Sequence, residues 1–231
     1  MEQLKFLITD ILSVPVFLLF GNWFRKFYHI KFWQELCILV PGYTLSYAWM
    51  LFLYSAVNGF KTFGGQNAIR AYAWIPLIAV GVSKILKIPF RTVCDYYAPV
   101  LCIAHGLGKI KCIRIGCCCG YPCSWGIENF WGVRCFPVQV FECVVALLVA
   151  VFAVIYAKKR NFNCDGTVLA WSMILLGGTR FILEFLRDND KIFLGCSELS
   201  FHALSIAAVG AIMLYFFRKY AAKEQKMLQE G

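Results

Sequence analysis

The segment Gly108–Gly120 concentrates charge and thiols in a chain that is 60% hydrophobic. It holds three cations, Lys109, Lys111 and Arg114, together with four cysteines. A charged side chain near the core of a bilayer costs about 2.5–3.5 kcal/mol on insertion scales, so charges retained there mark functional sites. The sequence therefore predicts a functional site in or beside this segment.

Other polar side chains recur near the ends of apolar stretches. They are His105, Gln139, Glu142, Arg180, Glu184 and Arg187. Arg180, Glu184 and Arg187 stand at i, i+4 and i+7, which places them on one face of a helix. A single polar residue in a membrane helix often does no more than form an interhelical hydrogen bond, which is worth under about 1 kcal/mol. Several ionisable groups at one depth instead favour a pocket with a function.

The composition of the chain indicates whether the elements that carry these residues lie in water or in a lipid bilayer. Aromatic residues make up 17% of the 231 residues and charged residues only 16%, which is typical of an integral membrane protein. About 20 apolar residues are needed to span the hydrocarbon as a helix. We therefore expect an all-α membrane protein with about seven transmembrane helices. The expected spans are Phe6 to Phe24, Trp33 to Val57, Ala71 to Leu86, Val93 to Leu107, Val138 to Ala157, Thr167 to Leu186 and Leu199 to Phe217.

The distribution of positive charge predicts the orientation. The net charge is +10, but no nucleic-acid motif appears, so we expect no nucleic-acid partner. Thirteen of the 23 Lys and Arg residues follow odd-numbered spans and nine lie on the opposite side. Because positive loops stay in the cytoplasm, we expect a single polytopic domain over residues 1–231 with its N-terminus outside and its C-terminus cytoplasmic. In this orientation the polar residues at the ends of the predicted spans lie together at the outer side of the membrane.

Five ordered motifs resemble one family, the prolipoprotein diacylglyceryl transferases, and in particular its cysteine-containing members. Lys87–Val100 is similar to the segment leading into the family signature. His105-Gly-Leu-Gly-Lys109 and Gly116-Cys-Cys-Cys-Gly120 are similar to His-x-x-Gly-Arg and Gly-Cys-Cys-Tyr-Gly. Pro137–Glu142 resembles Pro-x-Gln-Leu-Tyr-Glu, and the stretch from Arg180 to Arg187 resembles Arg-Phe-x-x-Glu-Phe-x-Arg. The likeness covers about residues 84–213, whereas residues 1–83 diverge.

The resemblance implies an activity, its substrates and a location. Members of the family move a diacylglyceryl group from phosphatidylglycerol to the thiol of a lipobox cysteine in a prolipoprotein precursor, and release glycerol phosphate. The implied partners are these two substrates and membrane lipids, and the implied location is the bacterial plasma membrane. The resemblance implies no cofactor. A non-catalytic lipid-binding relative is an alternative.

The resemblance also implies roles for the cations. Arg180 matches a family arginine taken as essential, and a guanidinium can clamp a phosphate with two hydrogen bonds; the alternative is a structural ion pair with Glu184 one turn on. Lys109 replaces the signature arginine, which keeps the charge but loses the planar fork. Lys111 stands where glycine is usual. Lys111 and Arg114 either add positive charge around the same phosphate or face lipid headgroups. Arg187 is an expected substrate-binding residue.

The remaining site residues concern proton transfer and substrate hydroxyls. The family's usual histidine segments have no counterpart near residues 70–74, and its histidine before Pro-x-Gln is Phe136 here. His105 and His202 are the remaining titratable candidates on the outer side. His105 lies one turn before Lys109 and is the expected general base, with packing as the alternative. Gln139 and Glu142 share a face and could bind Lys109 or a lipid glycerol, or could cap their helix.

The cysteines allow a different class of protein. Twelve are present, and six of them, between Cys112 and Cys135, face the exterior in this topology, where disulfides are common. The spacing lacks two Cys-x-x-Cys pairs and does not favour a metal site, so we expect none. A membrane thiol-redox or metal-handling protein that uses residues 112–135 is the alternative to the transferase.

Overall fold

The computed structural model describes residues 18–57, 72–129 and 131–230. Residues 18–24 are helical and lead into a 3-10 turn, Arg25–Tyr28. The longer elements are α1 (Phe32–Val57), α2 (Ile75–Leu86), α3 (Phe90–Ile115), β1 (Pro122–Glu128), β2 (Arg134–Cys135), α4 (Val138–Lys159), α5 (Thr167–Glu184) and α6 (Glu198–Glu230). The protein is mostly helical, as predicted.

Three of the described helices are long and apolar enough to cross a membrane. They are α4, α5 and Glu198–Lys223 of α6. Each coincides with a span predicted from the sequence. Most of the first predicted span, and residues 58–71 between α1 and α2, lie outside the described residues.

Helix α3 is the central element of the described structure and is longer than the predicted span, Val93 to Leu107. Residues 92–100 are all buried, while α4 and α5 both pack against the helix. Pro89 precedes it, and Gly116 with φ of 72° ends it, its N–H bonded to the Cys112 carbonyl at 3.0 Å. Hydropathy detects only the apolar part of α3, because the helix continues through the cationic turns that hold Lys109 and Arg114.

Hydrogen bonds at one end of the bundle fix the relative directions of the helices. The carboxylate of Asp95, near the start of α3, accepts the backbone N–H groups of Gly166 (2.8 Å) and Val168 (2.9 Å) at the start of α5. Helices α3 and α5 therefore begin together, and α4 returns between them. As a result the end of α3, the start of α4 and the end of α5 meet at the other end of the bundle.

A buried ion pair also lies at the end that holds Asp95. Arg25 Nε is 2.9 Å from Glu35 Oε2, and the Tyr96 hydroxyl donates to Glu35 Oε1 at 3.1 Å. Glu35 is only 1% exposed. This pair fastens the 3-10 turn and α1 to α3, and no pattern in the sequence pointed to it.

Small residues let α5 and α6 pack closely. A Cβ added to Gly177 would lie 2.6 Å from the backbone N of Ala207 and 2.7 Å from the carbonyl O of Ala203, both on α6. A Cβ on Gly178 would meet no atom within 4 Å. Of these two adjacent glycines, Gly177 is therefore the one that sets the distance between α5 and α6.

The short hairpin β1–β2 was not anticipated for an all-α protein. The two strands pair antiparallel with Glu128 opposite Arg134, and an irregularity separates the pairs made by Pro122 and Ile127. The residues of β1 do not alternate between apolar and polar, because the strand is mainly exposed and has no face buried in a core that would require alternation. The hairpin links α3 to α4 at the end of the bundle where the polar residues collect.

Candidate active site

The carboxylate of Glu142, in the second turn of α4, is surrounded by three cations. Lys109 Nζ from α3 lies 2.8 Å from Oε2. Arg187 Nη2 lies 2.5 Å from the same oxygen, and Arg180 Nη1 from α5 bonds to Oε1. The two cations expected to share a phosphate, Lys109 and Arg180, thus converge on one carboxylate from two helices.

A second carboxylate, Glu184 at the end of α5, contacts both arginines. Arg180 Nη2 is 2.8 Å and Arg187 Nε 3.6 Å from Glu184 Oε2, so the three side chains lie together, although Arg187 stands three residues past the end of the helix. The Ser197 hydroxyl donates to Glu184 Oε1 at 2.9 Å, and the Asn189 side-chain amide donates to the same oxygen. The five charged residues Lys109, Glu142, Arg180, Glu184 and Arg187 are called the ion cluster below.

The ion cluster is buried and carries an excess of positive charge. The exposed side-chain fractions are 13% for Lys109, 7% for Arg180, 3% for Arg187, 2% for Glu142 and 0% for Glu184. Three cations face two carboxylates, so one positive charge is uncompensated within the cluster. Because an uncompensated buried charge is costly, the arrangement favours binding of one further negative charge.

Two guanidinium nitrogens of the cluster retain hydrogen-bonding capacity. Arg180 Nη2 and Arg187 Nε are buried and, although close to Glu184 Oε2, make no hydrogen bond of good geometry within the described part of the chain. An anion with several oxygens, such as a phosphodiester, suits such donors because guanidinium groups bind phosphate with two parallel bonds.

His105 lies one turn before Lys109 on α3 and makes a contact that sequence reasoning missed. The Tyr72 hydroxyl is 2.8 Å from His105 Nδ1, and the two rings meet edge to face with centroids 5.3 Å apart. Tyr72 lies just before α2, in the region where members of the resembling family carry a histidine segment, and no signal in the sequence pairs it with His105. The contact fixes the imidazole orientation.

The two other predicted site residues lie around the cluster in different ways. Gln139 is fully buried one turn before Glu142, and its amide nitrogen donates to Cys119 Sγ at 3.1 Å, while its amide oxygen does not accept from Lys109. Gln139 Oε1 accepts no hydrogen bond from any described residue. Arg114 is exposed in the last turn of α3. The structure thus brings five of the eight predicted residues into direct contact and leaves His105, Gln139 and Arg114 beside them.

The cysteine run after α3 is held against the end of α5. Tyr121 N donates to the Leu186 carbonyl at 3.1 Å, and Gly120 N donates to the Phe136 carbonyl at 2.8 Å. A Cβ at Gly120 would overlap the Leu186 carbonyl, so only glycine permits this approach. The run therefore lies directly beside the ion cluster.

None of the twelve cysteines is in a disulfide, in contrast to the expectation for an exterior loop. The thiols of Cys112 and Cys117 hydrogen-bond to Cys118 and lower the pKa of its thiol, and the charges of Lys109 and Arg187 lower that pKa further.

Sequence comparison decides the family. Residues 25–218, most of the chain, match the family described as prolipoprotein diacylglyceryl transferase. The chain belongs to this family. The assignment predicted from the five motifs is confirmed, and it extends over part of the N-terminal region that the motifs did not cover.

Individual members of the prolipoprotein diacylglyceryl transferase family are similar at low identity. The chain is 27% identical over 177 residues to phosphatidylglycerol–prolipoprotein diacylglyceryl transferase 2 of Clostridium perfringens, covering 72% of the chain and 68% of that relative. It is 24% identical over 227 residues to the Dehalococcoides mccartyi transferase, covering 94% and 78%. For the Clostridium tetani transferase, 28% identical over 144 residues, the chain spans about half of the relative's length, 54%.

Proposed function

We propose that this protein transfers a diacylglyceryl group from phosphatidylglycerol to the cysteine thiol of a lipobox-containing prolipoprotein. The observation that carries the proposal is the buried ion cluster with its excess positive charge, in a chain of the transferase family. A cation-rich site is what the reaction requires, because negative charge builds on the phosphate as it leaves.

The proposed reaction forms one bond and breaks one. The thiolate sulfur of the substrate attacks the glyceryl carbon that bears the phosphate ester, so a C–S bond forms while the C–O bond breaks. The electron pair of the C–O bond leaves with glycerol phosphate. The proton of the thiol passes to a base on the enzyme, and no cofactor takes part.

Arg180 and Lys109 hold the phosphate in this proposal. Arg180 supplies Nη2 as a donor, because its Nη1 is bonded to Glu142, whereas Lys109 contributes a point charge without geometric control. Arg187 completes the positive field, while Glu142 and Glu184 fix the positions of the three cations through the 2.5–3.6 Å contacts of the cluster. The alternative, a purely structural ion network, does not account for the uncompensated charge.

His105 is the proposed general base and Tyr72 its positioning partner. When Nδ1–H donates to the Tyr72 oxygen, Nε2 is left as the acceptor for the thiol proton. Gln139 Oε1, buried and lacking a donor among the described residues, is the proposed acceptor for a glycerol hydroxyl of the headgroup. Arg114, exposed at the end of α3, is proposed to attract anionic headgroups from the membrane surface.

We also propose that the ion cluster faces the exterior in a seven-span protein of the bacterial plasma membrane. The opposite end of the bundle carries the basic residues that the positive-inside rule assigns to the cytoplasm. At that end Arg218 stacks over Trp171 and Arg91 over Tyr220. Near the cluster, Trp125 and Trp131 on and beside the hairpin are 59% and 79% exposed, as expected for aromatic residues at a membrane interface.

Complementation of a transferase-depleted bacterium tests the proposal. We expect wild-type protein to restore growth and to give a reporter lipoprotein with the mass of a diacylglyceryl thioether. Arg180→Gln should lower the rate of modification about 100- to 1,000-fold, the usual effect of removing one electrostatic donor. Arg160→Gln is the matched control, because Arg160 also pairs with a carboxylate, Asp165, but at the opposite end of α4.

The outcomes of complementation separate the alternatives. An unmodified reporter thiol with wild-type protein present in the membrane would refute the transferase and favour a non-catalytic lipid-binding relative. Equal modification by the Arg180→Gln and Arg160→Gln variants would refute the role of Arg180. The C-terminus is tested separately with a fluorescent-protein fusion, which fluoresces only if the C-terminus is cytoplasmic.

A further inference from the structure

Three thiols gather at the point where α3 ends. The Sγ atoms of Cys112, Cys117 and Cys118 all lie within 4.8 Å of one another. Cys112 is in the last turn of the helix, whereas Cys117 and Cys118 follow Gly116. These three residues are called the thiol trio below.

The backbone brings the trio together. Gly116 adopts a left-handed φ of 72°, which turns the chain back over the helix end, and Cys117 N donates to the Cys112 carbonyl at 3.2 Å. Cys118 has φ of 62°, a conformation uncommon outside glycine. A Cβ at Gly116 would lie 2.8 Å from the carbonyl O of Glu128, so the hairpin packs closely against this turn.

The spacing of the trio is close to that of a metal site. Zinc binds thiolate sulfur at about 2.3 Å, which places two sulfurs of a tetrahedral site about 3.8 Å apart. The sulfurs of the trio are within 4.8 Å of one another, so they exceed this spacing by at most about 1 Å. Since Cys118 is exposed and all twelve cysteines are free, the trio is accessible to an ion and its sulfurs are available as ligands.

Charge beside the trio complements a bound zinc ion. Three thiolates and one Zn²⁺ carry a net charge of −1, and two cations of the ion cluster lie beside Cys118. Arg187 hydrogen-bonds to the Cys118 side chain, which is the kind of outer contact that orients a metal ligand. The other cation near Cys118 is Lys109 on α3.

We propose that Cys112, Cys117 and Cys118 form a zinc site whose fourth coordination position is open to solvent. Three protein ligands and one open position are a common zinc arrangement, and soft thiolate ligands select zinc or copper(I) over magnesium and calcium. The sequence expectation of no metal site rested on linear spacing, which does not reveal that Cys112 and the Cys117–Cys118 pair meet across a helix end. The site does not depend on the transferase proposal.

Zinc binding by the purified full-length protein in detergent tests the proposal. The protein is kept under a phosphine reductant, loaded with Zn²⁺ alone, desalted and analysed for metal content. We expect one equivalent of zinc per chain in the wild type, loss of that equivalent in Cys117→Ser, and its retention in Cys123→Ser. Cys123 is the matched control, because it is a free cysteine on β1 outside the trio. Zinc content that is equal in the two variants would overturn the proposal.

A second measurement on the wild type does not depend on the folding of variants. Zinc should protect Cys112, Cys117 and Cys118 from maleimide alkylation, mapped by mass spectrometry, and should leave the labelling of Cys123 unchanged. Substitution of Co²⁺ should give a sulfur-to-metal charge-transfer band. If zinc does not change the labelling of the trio, the proposed metal site is overturned. If Cu⁺ protects the trio and Zn²⁺ does not, the choice of metal is overturned.

Discussion

Replacement of Glu142 by glutamine tests how the ion cluster is held together. The substitution keeps the shape of the side chain but removes the charge that contacts Lys109, Arg180 and Arg187. Three buried cations would then face Glu184 alone. Removing one partner of a buried ion pair costs about 3–5 kcal/mol, and Glu142 has three such partners in a region where no side chain of the cluster is more than 13% exposed. We therefore expect Glu142→Gln to lower the free energy of unfolding by about 3–5 kcal/mol.

The assay for Glu142→Gln is reversible unfolding in mixed micelles with increasing dodecyl sulfate, followed by circular dichroism. Glu198→Gln is the control, because Glu198 pairs with His202 at 3.3 Å with both side chains about one-third exposed, and such pairs contribute only about 0–1 kcal/mol. If the two variants lose the same stability, or if Glu142→Gln stays within about 1 kcal/mol of the wild type, the ion cluster is not the buried network described above.

Three further substitutions test other contacts. Tyr72→Phe removes the hydroxyl 2.8 Å from His105 Nδ1 and should lower kcat about tenfold with KM unchanged; a change in KM alone would show that Tyr72 acts on binding and not on the base. Gly177→Ala should destabilise the protein by about 1–3 kcal/mol in thermal unfolding because its Cβ would overlap the α6 backbone, whereas Gly178→Ala, with open space around it, should not. Asp95→Asn weakens two hydrogen bonds at the start of α5 and should cost about 1.5–3 kcal/mol, without changing kcat of the folded enzyme; a lower kcat at full folding would contradict a purely structural role.

The helices could be predicted from the sequence where burial in lipid dominates. The predicted span Val138 to Ala157 agrees with α4 to within two residues at its end, and Thr167 to Leu186 agrees equally well with α5. Long apolar runs bounded by proline, glycine and basic residues give these bounds because the membrane imposes a length. Helix α3 was predicted too short, because its last two turns carry Lys109, Lys111 and Arg114 and do not read as an apolar run.

The composition of the site could be predicted, but its contacts could not. The i, i+4, i+7 spacing predicted that Arg180, Glu184 and Arg187 lie together, and their side chains do meet, although α5 ends at Glu184 and Arg187 follows it. That Glu142 is the common partner of all three cations depends on how α4 crosses α3 and α5, which no local pattern encodes. The contact between Tyr72 and His105 and the meeting of the three thiols also depend on tertiary structure, because each joins residues separated by a turn or by a helix.

The release of glycerol phosphate by the purified protein tests the central claim most directly. Phosphatidylglycerol in micelles is incubated with a lipobox peptide that carries its cysteine, and with the same peptide carrying serine in place of cysteine. The account predicts glycerol phosphate and thioether-linked peptide in equal amounts with the cysteine peptide and neither product with the serine peptide. Release of glycerol phosphate that is the same with both peptides, or thioether formation that is undiminished in Arg180→Gln, would contradict it.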